Sequence, residues 1–266
     1  PFSLGFLIVR GSSPDDTRVF LEGHPIPHLY HFMGLSSVFN ADLLSRIDFI
    51  PGNFSVRYGG ATGAIVDVVT RPAKRDRWHG YASADLWGLA ALAEGPVGRG
   101  SLALTLRRSH IDAIFALLPD IALTAATYDY AAMLDYPLAG GTLKVIAFGA
   151  DDRLKRRLED SNDFETVHAK LFSKAIIRWQ RRIRSTRLKV SLAGGYTRQE
   201  TGADARGGAV QDTGSFSWRL EVAHAVSPRL RVVFGLDGDV ARAKLSQAGS
   251  GLSLGLLDNE DVDEDA

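Results

Sequence analysis

Hydrophobic and polar positions change their rhythm along this chain near residue 76. Before it, Gly and Pro turns alternate with short apolar runs at residues 6–9, 19–21, 47–50 and 65–69, which predict short buried strands in a compact α+β unit. Residues 40–45 (NADLLS) open on Asn40, a good N-cap, and predict one or two helical turns. After a basic hinge at residues 71–77 (RPAKRDR), long alternating segments separated by turns take over, with almost no helical pattern.

The alternation has a consistent character. In residues 101–108, Leu102, Leu104 and Leu106 share one face, opposite Ser101, Ala103, Thr105 and Arg107. In residues 128–136, Tyr128, Tyr130, Ala132, Leu134 and Tyr136 oppose Asp129, Ala131, Met133 and Asp135. Residues 187–196, 216–223 and 230–237 repeat the arrangement, and residues 167–179 carry His168, Lys170, Lys174 and Arg178 on their second face. Residues 142–149 are mixed and support the pattern poorly. Tight turns at residues 98–100, 137–141, 181–185 and 227–228 alternate with long connections at 110–127, 151–163 and 197–214. Strands of about ten residues with one apolar face, joined by short and long connections in turn, predict an antiparallel transmembrane β-barrel. Tyr128, Tyr136, Trp179, Tyr196 and Trp218 fall where interfacial aromatics belong. A soluble β-sandwich also alternates, so a soluble all-β ligand-binding module is the alternative.

Composition narrows the function. Lys and Arg total 31 and Asp and Glu total 31, so no overall charge recommends a nucleic-acid partner. Cysteine is absent, which removes disulfides, Cys-zinc sites and thiol nucleophiles. No stretch approaches the roughly 20 apolar residues of a membrane helix, so a bilayer crossing requires a closed barrel of strands. The chain enters directly on an apolar run and stops in an acidic tract, so the expectation is an internal piece of a longer protein. No nucleophile elbow, HExxH or phosphate loop is present, so no enzyme is expected. No cofactor is called for. His24, His28 and His31 lack interleaved carboxylates and regular spacing, so no metal site is expected either.

Several motifs carry a family resemblance. Residues 6–12 (FLIVRGS), 19–26 (VFLEGHPI), 44–52 (LSRIDFIPG) and 57–70 (RYGGATGAIVDVVT) resemble, in order, segments of the second half of the plug domain in TonB-dependent outer-membrane receptors. The following HGYASADLW and EGPVGRGSLALTLRRSHID resemble that family's first barrel strands; the likeness is specific over residues 6–112 and architectural beyond. It implies a plug part at residues 1–75 and a wall part at 76–266, with about nine strands of a barrel of about 22. It also implies outer-membrane placement, contact with outer-membrane lipid, a small nutrient ligand such as a siderophore, cobalamin or saccharide, and a TonB complex acting through a box outside this chain.

The same resemblance implies site residues. The loop after the Pro-Ile hairpin rises toward the external mouth, so His28, Tyr30 and His31 are expected either to face the ligand cavity or to pack the plug against the wall. Arg10 matches a plug arginine that pairs with acidic residues of the barrel interior, and a buried arginine needs such partners. Pro51 stands where the family carries a second arginine. Tyr58, Gly59, Gly60 and Gly63 form the signature turn, whose glycines permit positive φ and close backbone approach. The acidic residues 258–265 predict a solvated loop rather than a calcium site, and the arginine-rich run 178–187 surrounds a tight turn.

Overall fold

The computed structural model describes residues 8–13, 16–31, 34, 36–117, 122–158, 163–202 and 208–247. Residues 6 and 7 of the first motif, Phe32 and the acidic run 258–265 lie outside them.

Among the described residues the chain forms two sheets that share no strand. The first contains β1 (Arg18–Leu21), β2 (His24–Pro25), β3 (Leu44–Ile50) and β4 (Ile65–Thr70), in the order β2-β1-β4-β3. A hairpin at Glu22 and Gly23 joins β1 to β2; both residues have positive φ, which Gly23 adopts without steric cost. Strands β1 and β4 are parallel, with Val19 opposite Val66 and Leu21 opposite Val68, and the central strand β4 is the most buried. The edge strand β3 departs from the buried expectation: Ile47 and Phe49 are more than half exposed, because only β4 lies alongside it. The turn predicted at Asn40 is a 3-10 helix, Ala41–Leu43, capped by the Asn40 Oδ1 accepting from the Asp42 N–H at 2.8 Å.

The second sheet holds β5 (His79–Ala84), β6 (Gly88–Val97), β7 (Gly100–Ser109), β8 (Leu123–Leu138), β9 (Gly141–Arg157), β10 (Phe164–Ile183), β11 (Thr186–Thr201), β12 (Ala209–Ser227) and β13 (Leu230–Gln247). Each pairs antiparallel with the next in chain order, an up-and-down wall of nine strands, and a short helix α1 (Ile111–Ala116) rides the connection between β7 and β8. The strands outrun the predicted ten residues. Residues 151–157, 197–201 and 209–214, expected in loops, belong to β9, β11 and β12. In these added stretches the ladder continues on polar residues, including the cross-strand pair Arg198–Asp212 at 3.7 Å.

The two faces of the wall differ as the alternation predicts. Leu104, Leu106, Tyr128, Tyr130, Leu192 and Phe216 point outward and are exposed, whereas Ala103, Thr105, Asp129, Met133, Ser191 and Ser217 point inward and are buried. Strand β9 explains its own poor signal. Its inner positions are Lys144, Ile146, Phe148 and Ala150, so both faces are apolar over much of its length. Those inner residues meet the first sheet directly. Leu21, Val38, Phe39, Leu43, Val66 and Val68 form one continuous core with Met133, Ile146, Phe148, Phe172 and Ile176 of the wall. Phe148 stands at the centre, edge-on to Phe39 and to Phe172 with both ring centroids 5.7 Å away.

Candidate functional site

The segment after β2 folds back on itself. Tyr30 bridges Ser37, the His31 N–H donates to the Ser36 carbonyl, and the Val38 N–H donates to the Leu29 carbonyl, both at 2.9 Å. This loop presents His31 to two wall carboxylates: Nδ1 lies 2.5 Å from Asp152 Oδ1 and Nε2 lies 3.0 Å from Asp129 Oδ2. The ring is 2 % exposed. Burial alone would lower its pKa, but hydrogen bonds and charge from Asp129 and Asp152 prevail and hold it above the ordinary histidine value. With a carboxylate oxygen within hydrogen-bond distance of each ring nitrogen, His31 is clamped between β8 and β9 in a setting that favours its protonated form. Arg107 of β7 completes the clamp, with Nε 2.8 Å from Asp129 and a terminal nitrogen donating to the Ser37 carbonyl.

His28 lies beside this clamp. Its ring meets Phe172 edge-on at 4.9 Å, and its Nε2 is 3.8 Å from Asp152, too far for a hydrogen bond. Burial lowers its pKa despite Asp152, which favours the neutral ring. Tyr30 is half-buried. The apex segment thus rests on the halves of β8 and β9 nearest the long connections. His31 is wholly engaged by the wall and Tyr30 keeps accessible surface.

A second set of contacts lies toward the tight turns. Glu22 accepts from the Thr70 N–H at 3.0 Å and the Thr70 hydroxyl at 2.5 Å, and its other oxygen pairs with Arg178 of β10. Lys144 reaches from β9 to the Thr70 hydroxyl at 3.0 Å, the Arg71 carbonyl at 3.1 Å and Asp135 at 3.3 Å. Arg71 forms a two-nitrogen fork on Glu94 of β6, which also accepts the Lys74 N–H at 3.0 Å. On the far side, Arg57 pairs with Glu221 at 2.7 Å, and the His24 Nδ1 lies 2.8 Å from the Ser217 hydroxyl. Burial, together with Lys174, Arg219 and Lys189, lowers the His24 pKa to about 4.

The signature turn is built differently at each position. Gly60 has φ +68°; Gly63 packs so closely on Ser12 and Asp16 that a Cβ would stand under 3 Å from both; Gly59 offers its carbonyl to Arg18 at 3.2 Å. Tyr58 stacks at a tilt on Phe20 and donates to Asp67 at 2.8 Å; burial, then Asp67, push its phenol up to about 12, so it remains the donor. Arg10 is exposed and lies against Gly52, with no ion pair to a described residue. Among the described residues, ion pairs between residues 16–71 and the wall run through Glu22, His31, Arg57 and Arg71, of which the motifs singled out only His31. Two of their wall partners had a legible signal: Asp129 and Glu221 are charges on the face opposite an apolar stripe. Among the described residues, no group of three or more His, Cys, Asp or Glu is arranged to hold a metal ion.

No protein-family model and no curated protein matches the sequence. Solved structures do match the fold. A mutant of the ferric enterobactin receptor PfeA from Pseudomonas aeruginosa aligns with 15% identity and a TM-score of 0.62 over 89% of this chain and 42% of that one. The siderophore receptor PirA from Acinetobacter baumannii aligns with 14% identity and a TM-score of 0.64 over 89% and 41%. FpvA of P. aeruginosa, bound to a heterologous pyoverdine, aligns with 12% identity and a TM-score of 0.61 over 86% and 36%. The chain therefore spans less than half the length of each of these proteins and shares with these receptors the fold of the part it covers.

Proposed function

We propose that this chain is the plug-and-wall segment, residues 1–75 and 76–266, of an outer-membrane receptor that captures a scarce nutrient, a ferric siderophore foremost, for TonB-driven import. One observation carries the reading: plug and wall share a core and side-chain contacts but no sheet hydrogen bonds. A plug joined in this way can shift without unzipping a β-ladder, as ligand passage through a filled barrel demands. In this reading Tyr30 meets the ligand at the long-loop mouth, and His28 and His31 fix the apex that presents it. The turn of Tyr58, Gly59, Gly60 and Gly63 shapes the plug near its exit, and Arg10 is a latch toward acidic residues of the barrel interior. The exposed outward stripe that includes Leu106, Ile177 and Phe234 suits lipid and disfavours the soluble binding module.

The test uses the complete protein in detergent, titrated with ferric enterobactin, a ferric pyoverdine, cobalamin and a maltooligosaccharide. Saturable binding of a ferric siderophore, weakened at least about tenfold in the His28→Ala, Tyr30→Ala, His31→Ala triple variant, is expected, with tenfold corresponding to about 1.4 kcal/mol. Unchanged affinity in the triple variant would remove the apex from the site, and binding of none of the four would remove the siderophore assignment.

A further inference from the structure

The tight-turn end of the wall carries a second binding surface. We infer that Arg99, Arg181, Arg184 and Arg229 form a belt that binds the phosphate headgroups of anionic phospholipid in the adjoining leaflet. The inference rests on the barrel reading above. Arg99, Arg184 and Arg229 sit in or at the turns β6–β7, β10–β11 and β12–β13. Arg181 covers the remaining one, β8–β9, so closely that a Cβ on Gly140 would stand 3.1 Å from its guanidinium carbon. All four side chains are exposed, and none has an ion-pair partner among the described residues.

Their position relative to the aromatic residues selects a lipid. Trp78 stacks on Gly95, Tyr136 on Gly100, and the Trp179 indole N–H donates to the Leu138 carbonyl at 2.9 Å. These rings mark the interfacial level at this end of the wall. Arg181 lies on the same outward face of β10 as Trp179, two residues nearer the turn, about 7 Å farther along the strand. That step takes a guanidinium from the ring level to the phosphates, which it binds with paired N–H donors.

Charge at the two ends of the wall differs. At the long-loop end four arginines are neutralised at home: Arg108 by Asp112, Arg153 by Asp151, Arg156 by Glu165 and Arg198 by Glu200. At the tight-turn end, residues 71–79, 97–100, 137–142, 180–187 and 226–231 contain one carboxylate, Asp76, which His79 engages at 2.9 Å. Unneutralised arginines just beyond an aromatic level attract an anionic membrane surface, on the order of fivefold per residue engaged.

The complete protein is reconstituted in vesicles of equimolar phosphatidylglycerol and phosphatidylethanolamine, floated on a density gradient, extracted in mild detergent, and its co-purifying lipid is quantified. The expected result is several-fold enrichment of phosphatidylglycerol. It should fall to the supplied ratio when Arg99, Arg181, Arg184 and Arg229 are all replaced by Gln, and persist when all are replaced by Lys. Retention of both lipids in the supplied ratio by the unaltered protein, or undiminished enrichment in the Gln variant, would overturn the belt while leaving the barrel intact. Protein that fails to float with vesicles would overturn both readings.

Discussion

Arg71 holds Glu94 with two nitrogens at 2.7 and 2.9 Å, joining the last residues of the plug to the second strand of the wall. Glu94 is 1 % exposed and also receives the Lys74 N–H. Replacing it with Ala strands a partly buried guanidinium and an amide donor. The expected cost is about 1–3 kcal/mol, because Arg71 keeps some access to water. Amide hydrogen exchange at residues 70–75 of the complete protein should accelerate; unchanged exchange there would show that the fork does not fasten the exit.

How much of this was readable beforehand differs between the two faces of the wall. Outward residues such as Leu102, Leu104 and Leu106 were legible because the period-two alternation of the strand leaves one apolar side. Phe148 was not, since the plug replaces water behind β9 and both its faces become apolar. The pair Glu22–Arg178 spans 156 residues of sequence, and no local pattern encodes which inward charge meets which. His31 was readable as a site candidate, but its two carboxylates come from strands that register only in three dimensions.

Two plug histidines should respond to pH in opposite directions. His31 is held above its ordinary value of 6.5, so its clamp is complete below that value and is lost as pH rises through the raised one. His24 is depressed from 6.5 to about 4, so its contribution is present above 6.5 and drains away as pH falls toward 4. The full depression corresponds to about 3 kcal/mol. Measured plug unfolding should lose less stability between pH 6.5 and 4 in His24→Gln, and show a smaller decline on the alkaline side in His31→Gln. Parallel profiles for both variants and the unaltered protein would contradict these assignments.

Phe148→Ala should remove the knob between Phe39 and Phe172 and cost about 3–5 kcal/mol. A double-mutant cycle with Phe39→Ala should reveal coupling of about 0.5–1.5 kcal/mol, read from denaturant midpoints. Strict additivity would mean the rings do not meet across the two sheets.

Leu192 lies on the outward face in the middle of β11. Leu192→Arg should cost about 2–4 kcal/mol of insertion free energy and reduce the heat-resistant folded band on unboiled gels. Full assembly of this variant would be inconsistent with a lipid-facing surface at that position.

Phe148, Ile146 and Phe172 project inward from wall strands and share their core with Leu21, Phe39 and Val66. Taking residues 18–70 away would leave those rings facing water, so the two sheets stand or fall as one hydrophobic unit although no backbone ladder ties them together.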